Sequence, residues 1–166
     1  RLQRARLSVI ETWRNQVLGG DVSTCRTMLY PFSGPDFLNA YLLFPRCDTY
    51  VMFGLEAPGA VPPFESMSAD EAALYLKDMR VALTDFLARN YFITSRMAKQ
   101  LQTPRLKGVL PLMLASMGLL DFRIIAVEPF DIGPGSEAAR RAGRRAQGVK
   151  ITFSHAQVGK PQALYY

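Results

Sequence analysis

Apolar and polar residues change their spacing several times along the chain, and each change marks an element boundary. In residues 2 to 18, Leu2, Val9, Ile10, Trp13 and Val17 fall within one arc at a 3.6-residue period, and Gly19-Gly20 follows. That pattern predicts a docking helix with a glycine stop. The run "TMLYPF" is short, apolar and closed by Ser33-Gly34-Pro35, which reads as a buried strand meeting a turn. Pro35 suits a first helical position, where its missing N–H needs no partner, and Phe37, Leu38, Tyr41 and Leu42 continue at helical spacing until Pro45. "DTYVMFGLE" has little strict alternation, as expected of an interior parallel strand covered on both faces.

After an irregular loop at "APGAVPPFESM", Ser68 and Glu71 form a capping box that opens a long helix. Its predicted inner face is Ala72, Tyr75, Leu76, Met79, Leu83 and Phe86, with Lys77, Asp78 and Asp85 outside the stripe. "YFITSRMAKQLQ" and "VLPLMLASMG" predict two further helices, stopped near Pro104 and at Gly118. "DFRIIAVEPF" is a strand, "DIGPGSEAARRAGRRAQG" a long connection, and "VKITFS" with "ALYY" a closing hairpin around "HAQVGKPQ". Early strands separated by helices, then a terminal pair of strands, predict one α/β domain over residues 1–166. Its sheet is expected to be Rossmann-like and partly parallel, flanked by helices, with a C-terminal antiparallel strand pair.

With 49% hydrophobic residues in 166, the chain can bury a continuous core, so disorder as its global state is excluded. The formal charge of +6 sits in two places, Arg1, Arg4 and Arg6 at the start and the basic segment from Glu137 to Lys150. The remainder is close to neutral, so a nucleic-acid partner is disfavoured despite the high charge. The longest apolar stretch, "GVLPLMLASMGLL", has 13 residues, short of the roughly 20 that span a bilayer. The first residues contain no initiator Met and no signal-peptide pattern, and "QALYY" stops inside a predicted strand. Both features lead us to expect part of a longer protein.

Cys25 and Cys47, the only cysteines, and the single His155 cannot make a zinc site. Each cysteine precedes a predicted strand. If those strands are parallel neighbours, the thiols share one sheet edge and can bridge in an oxidising compartment; otherwise they are two unrelated thiols. His155 has no Ser or Cys motif beside it, so a nucleophile–His–acid triad has no support. Glu65, Asp70 and Glu71 surround a helix start, where the dipole favours negative charge without any acid–base role. Tyr91, Phe92, Arg96 and Lys99 form a weak candidate for an aromatic and basic patch.

In open α/β sheets the ligand crevice lies beyond the carboxyl ends of the strands, where "FSGPD" sits. Glu56 follows Gly34 by 22 residues, close to the spacing of a ribose-binding acid. A dinucleotide fingerprint would need glycines where this chain has Asp36 and Asn39, and the charge of Asp36 at a helix start disfavours pyrophosphate. An acid there favours a cationic or amino-bearing ligand. Ser33, Gly34, Asp36 and Glu56 are therefore the candidate small-molecule site. The competing reading of Asp36 is a helix-terminal residue binding backbone amides around Ser33.

The stretch "YPFSGPDFLNAYLLFP…YVMFGLE" resembles the PFxG turn, helix and acidic second strand of amino-group methyltransferases. The resemblance implies S-adenosylmethionine as ligand, with Phe32, Ser33 and Gly34 at its methionine part and Glu56 at its ribose. The target-amine motif of those enzymes is represented only by Glu128-Pro129-Phe130, which lacks one Pro and the usual first residue. Together with "GVLPLMLASMGLLDFRIIAV", the same stretches are similar to a group of uncharacterised bacterial proteins, many of them exported. This second resemblance implies a periplasmic or exported location, rather than a cytoplasmic one, which would suit a Cys25–Cys47 bridge. It leaves two expectations: a small-molecule domain, or a non-enzymatic envelope domain that binds proteins or serves as a scaffold.

Overall fold

Five strands form one mixed sheet whose order, β1-β2-β5-β4-β3, differs from their order in the chain. The computed structural model describes residues 2–19, 25–32, 34–89, 105–132 and 147–166. The strands are β1 (Cys25–Tyr30), β2 (Cys47–Met52), β3 (Arg123–Phe130), β4 (Gly148–Ser154) and β5 (Gln162–Tyr165). The helices are α1 (Leu2–Trp13), α2 (Phe37–Leu43), α3 (Ala69–Arg89) and α4 (Leu110–Gly118). β1, β2 and β5 run parallel, whereas β4 is antiparallel to both β5 and β3. The α/β class, the partly parallel sheet and the C-terminal antiparallel pair are thus as the sequence predicts. One β1-α2-β2 unit joins parallel neighbours, with β1 at the sheet edge.

Strand alternation puts Val149, Ile151 and Phe153 of β4 and Gln162 and Leu164 of β5 on one face, all buried. Tyr50 and Met52 of β2 join the same core, which α2, α3 and α4 cover with Phe37, Tyr41, Tyr75, Met79, Val109 and Met113. On the other side of β2, Thr49 and Val51 are only half-buried, so the expectation of a strand sealed on both faces is not met. Alternation was weak in this segment because Val and Thr occupy the outer positions, and both tolerate partial exposure.

The predicted arc of α1 also divides. The helix continues as a π-helical turn over Arg14–Leu18, and Gly19 at φ 57° ends it. Leu7, Ile10, Arg14 and Leu18 are half-buried, and the Arg14 guanidinium donates to the Leu42 carbonyl at 2.9 Å, fastening the turn to α2. Val9, Trp13 and Val17 are exposed instead. The Ser68–Glu71 capping box forms as expected, with the Ser68 amide donating to Glu71 Oε2 at 2.8 Å and the Glu71 amide to Ser68 Oγ at 3.3 Å. The Ser68 amide and the Ser68 hydroxyl both donate to Glu71 Oε2, which holds the Glu71 carboxyl below its ordinary pKa. On α3 the buried stripe is Tyr75, Met79 and Ala82, while Leu76 is exposed. The predicted helix at "YFITSRMAKQLQ", the Tyr91–Lys99 patch and most of the basic connection lie outside the described residues.

Phe37, Tyr41, Tyr50, Phe122, Phe153 and His155 make an aromatic cluster, with centroids 4.6 Å apart for Tyr41–Phe122 and 4.8 Å for Phe122–His155. His155 therefore packs as an aromatic side chain. Burial pushes the phenols of Tyr41 and Tyr75 up to about 12 and raises that of Tyr50 as well. Their neutral forms are favoured by the fold over the unfolded chain, where they ionise near 10. The stability they contribute is complete below pH 10 and is lost as pH rises toward about 12. In an alkaline titration, the tyrosinate absorbance of these residues is expected to appear together with loss of near-ultraviolet circular dichroism. Ionisation of all seven tyrosines near pH 10 in a still-folded protein would contradict this.

Candidate functional site

The carboxyl ends of β1 and β2 lie together, since Tyr30 is in register with Met52. Beyond Tyr30 the chain reverses at Pro31, where the Phe32 amide donates to the Tyr30 carbonyl at 2.8 Å, and Gly34–Asp36 form a 3-10 turn before α2. Pro35 thus lies in this turn and not in the first turn of α2. Gly34 is buried against α4: a Cβ there would overlap Met113 Sδ and lie 2.9 Å from Val109 Cγ1 and 3.2 Å from Tyr166 Cδ2. Glycine is needed at this position so that α4 and Tyr166 can approach the turn. On the side of Gly34 where a Cβ would stand, side chains of the protein fill the space.

Asp36 precedes α2, and its side chain makes no capping hydrogen bond to that helix; its Oδ1 accepts from Asn39 Nδ2 at 3.3 Å. Its charge adds to burial in raising the Tyr30 phenol pKa. Ser33 lies outside the described residues. Glu56 is half-buried four residues beyond β2, and its backbone carbonyl accepts the Tyr166 hydroxyl at 2.9 Å. Tyr166 thus connects two of the candidate residues, reaching the Gly34 turn with its ring and Glu56 with its hydroxyl.

Immediately after Glu56, the loop crosses the start of α4. The Ala57 and Pro58 carbonyls accept the Val109 and Leu110 amides at 3.2 and 2.9 Å, satisfying N–H groups that a helix start leaves without intrahelical partners. The crossing is made by Gly59 at φ 79° and Gly108 at φ 87°, both in the left-handed region. A Cβ on Gly108 would lie 2.5 Å from the Gly59 α-carbon. The sequence reading saw "APG" as loop punctuation and missed this partnership with "KGV", because nothing local pairs two glycines 49 residues apart.

Around the same strand ends the apolar side chains face outward. Phe32 is 41% exposed, Phe53 51% and Leu55 91%. Phe53 directly follows Met52, and Phe32, one residue beyond Pro31, sets its ring against Tyr30 with centroids 4.8 Å apart, so both belong to this end of the sheet.

At the opposite, amino ends of β1 and β2, Cys25 and Cys47 are in register and joined by a disulfide, 22 residues apart in sequence. The predicted condition, parallel neighbouring strands, is met. Arg26 follows one cysteine and Arg46 precedes the other. They line an open cleft of about 720 Å³ with Asp48, Gln157, Val158 and Lys160. Sequence reasoning passed over these arginines, although the dipeptides Cys-Arg and Arg-Cys offered a signal once the cysteines were paired. Among the described residues no group of three or more His, Cys, Asp or Glu side chains could hold a metal ion, and no helix is long and apolar enough to cross a membrane. No family model, curated protein or solved structure matches the chain.

Proposed function

We propose that this is a non-enzymatic protein-interaction domain of an oxidising, exported compartment, and that its partner binds the apolar rim at the carboxyl ends of β1 and β2. The observation that carries the reading is the exposure of Phe32, Phe53 and Leu55 at adjacent strand ends. Exposed apolar side chains gathered at one end of a sheet favour a protein contact over water. The Cys25–Cys47 bridge supports the compartment, because such bonds persist where thiols are not kept reduced. The resemblance read in the sequence implies the same location.

The small-molecule reading would place S-adenosylmethionine on Ser33, Gly34, Asp36 and Glu56. Met113 and Tyr166 fill one side of Gly34, so this reading needs the ligand to lie on the other side of the turn. Thermal-shift titration with S-adenosylmethionine is expected to leave the melting temperature unchanged. A saturable rise that Asp36→Ala and Glu56→Ala abolish would reinstate the ligand site.

The interaction reading is tested by a photo-crosslinking residue placed at Leu55 in living cells, with Ile132, 79% exposed elsewhere, as the control position. A discrete protein adduct is expected at 55 and not at 132, and Phe32→Ser/Phe53→Ser in the same chain should remove it. Absence of any adduct at 55 would count against the rim. Recovery of both cysteines as free thiols from unreduced cells would remove the compartment claim.

A further inference from the structure

We infer that the cleft beside the disulfide is a second, separate site, which binds a small organic anion through Arg26 and Arg46. It lies at the other end of β1 and β2 from the apolar rim, so neither site depends on the other.

Three parallel strands start at this end, at Cys25, Cys47 and Gln162. The turn before β5 forms the far wall. Its backbone is closed by the Val158 and Gly159 amides donating to the His155 carbonyl, both at 3.0 Å, and by the Gln157 amide donating to His155 Nδ1 at 3.3 Å. Lys160, on the same wall, is ion-paired with Asp48 of β2. That pair ties the wall to the sheet and neutralises the one acid among the described lining residues.

What remains is the charge of two guanidinium groups. Neither Arg26 nor Arg46 has a hydrogen-bond or ion-pair partner among the described residues. Each is covalently next to a bridged cysteine, so the disulfide fixes the separation of the two backbone points from which they extend. Guanidinium groups match the oxygens of phosphate and carboxylate through paired N–H donors, and a fixed pair of stems reduces the ordering needed on binding. A cleft of about 720 Å³ has the size of a metabolite site and not of a single inorganic ion. The shared chemistry of the ligand is therefore a multiply charged oxyanion carried on a small organic molecule.

Calorimetry at low ionic strength with citrate and with glucose 6-phosphate separates the carboxylate source from the phosphate source. Saturable binding of at least one of them, at one site per chain, is expected. Arg26→Ala and Arg46→Ala should each weaken it by about tenfold or more, as for loss of a charge-assisted hydrogen bond. Arg46→Lys should recover part of the loss, keeping the charge without the planar pair of donors. Both arginines are exposed, so these variants should retain the wild-type melting temperature. Arg123→Ala, which removes an exposed arginine from β3, should bind as the wild type does. No binding of either anion would overturn the inference, and so would equal weakening by Arg123→Ala, since the attraction would then belong to net charge alone.

Discussion

Replacing Gly59 with Ala is expected to cost about 3–4 kcal/mol of unfolding free energy. Two causes act together. The residue holds φ 79°, in the left-handed region, where a Cβ costs about 1–2 kcal/mol. The new methyl would also overlap the Lys107 carbonyl oxygen, and neither partner is a side chain that can swing aside. Relief requires the two backbones to part, which breaks the bonds from the Val109 and Leu110 amides to Ala57 and Pro58, each worth about 1 kcal/mol net. For a domain of this size the melting temperature should fall by about 6–16 °C. Gly159→Ala is the internal comparison: φ is 73° but nothing lies within 4 Å, so only the conformational term of about 1–2 kcal/mol applies. Chemical denaturation of both variants measures the difference. Equal losses would mean that the crossing adjusts freely and that the contact between loop and α4 contributes nothing.

The second large effect is expected on reduction of the Cys25–Cys47 bond. Closing a loop of 22 residues in the unfolded chain removes conformational entropy equivalent to about 3 kcal/mol at room temperature, so dithiothreitol should lower the melting temperature by about 6–12 °C. Cys25→Ser/Cys47→Ser should reproduce the shift without reductant. The loss should be uneven. β1 pairs with β2 alone among the described residues, while β4 is held by β3 and β5. Hydrogen exchange in β1 should therefore quicken most after reduction, with β4 keeping its protection. A shift below about 1 kcal/mol would indicate that the reduced chain keeps these segments close even when unfolded.

Local signals made much of this architecture legible. The Ser68–Glu71 box acts within one turn of helix, and the glycine after α1 and Pro45 after α2 act on their own neighbours. Residues 25 to 52 also contained enough to place two cysteines at matching strand starts, which is why the bridge was open to inference. What the sequence could not state is which elements meet across long separations. Periodicity located the arc of α1 but not which part of it faces inward, because Ile10 and Trp13 are both apolar and only the position of α2 distinguishes them. The turn at Gly34 has the composition of a ligand loop, and the side chains that fill it, Met113 and Tyr166, come from far along the chain. For the same reason the cleft is not visible in the sequence, since Arg26, Arg46 and Lys160 come to line one space only when three strand starts are brought to one edge.

The place of β5 constrains the order in which the molecule can assemble. The last strand to be specified is the one in the middle, with β2 on one side and β4 on the other. Until residues 162–165 arrive, the β1–β2 ribbon and the β3–β4 hairpin are two separate half-sheets, each with an open row of amides and carbonyls ready to adhere to a neighbouring molecule. Nascent chains of this protein should consequently gain little protection until residues 162–165 have emerged and the two halves are sealed together. A shielding helper or a dilute environment during that interval would matter more to its yield than the strength of any contact in the finished fold.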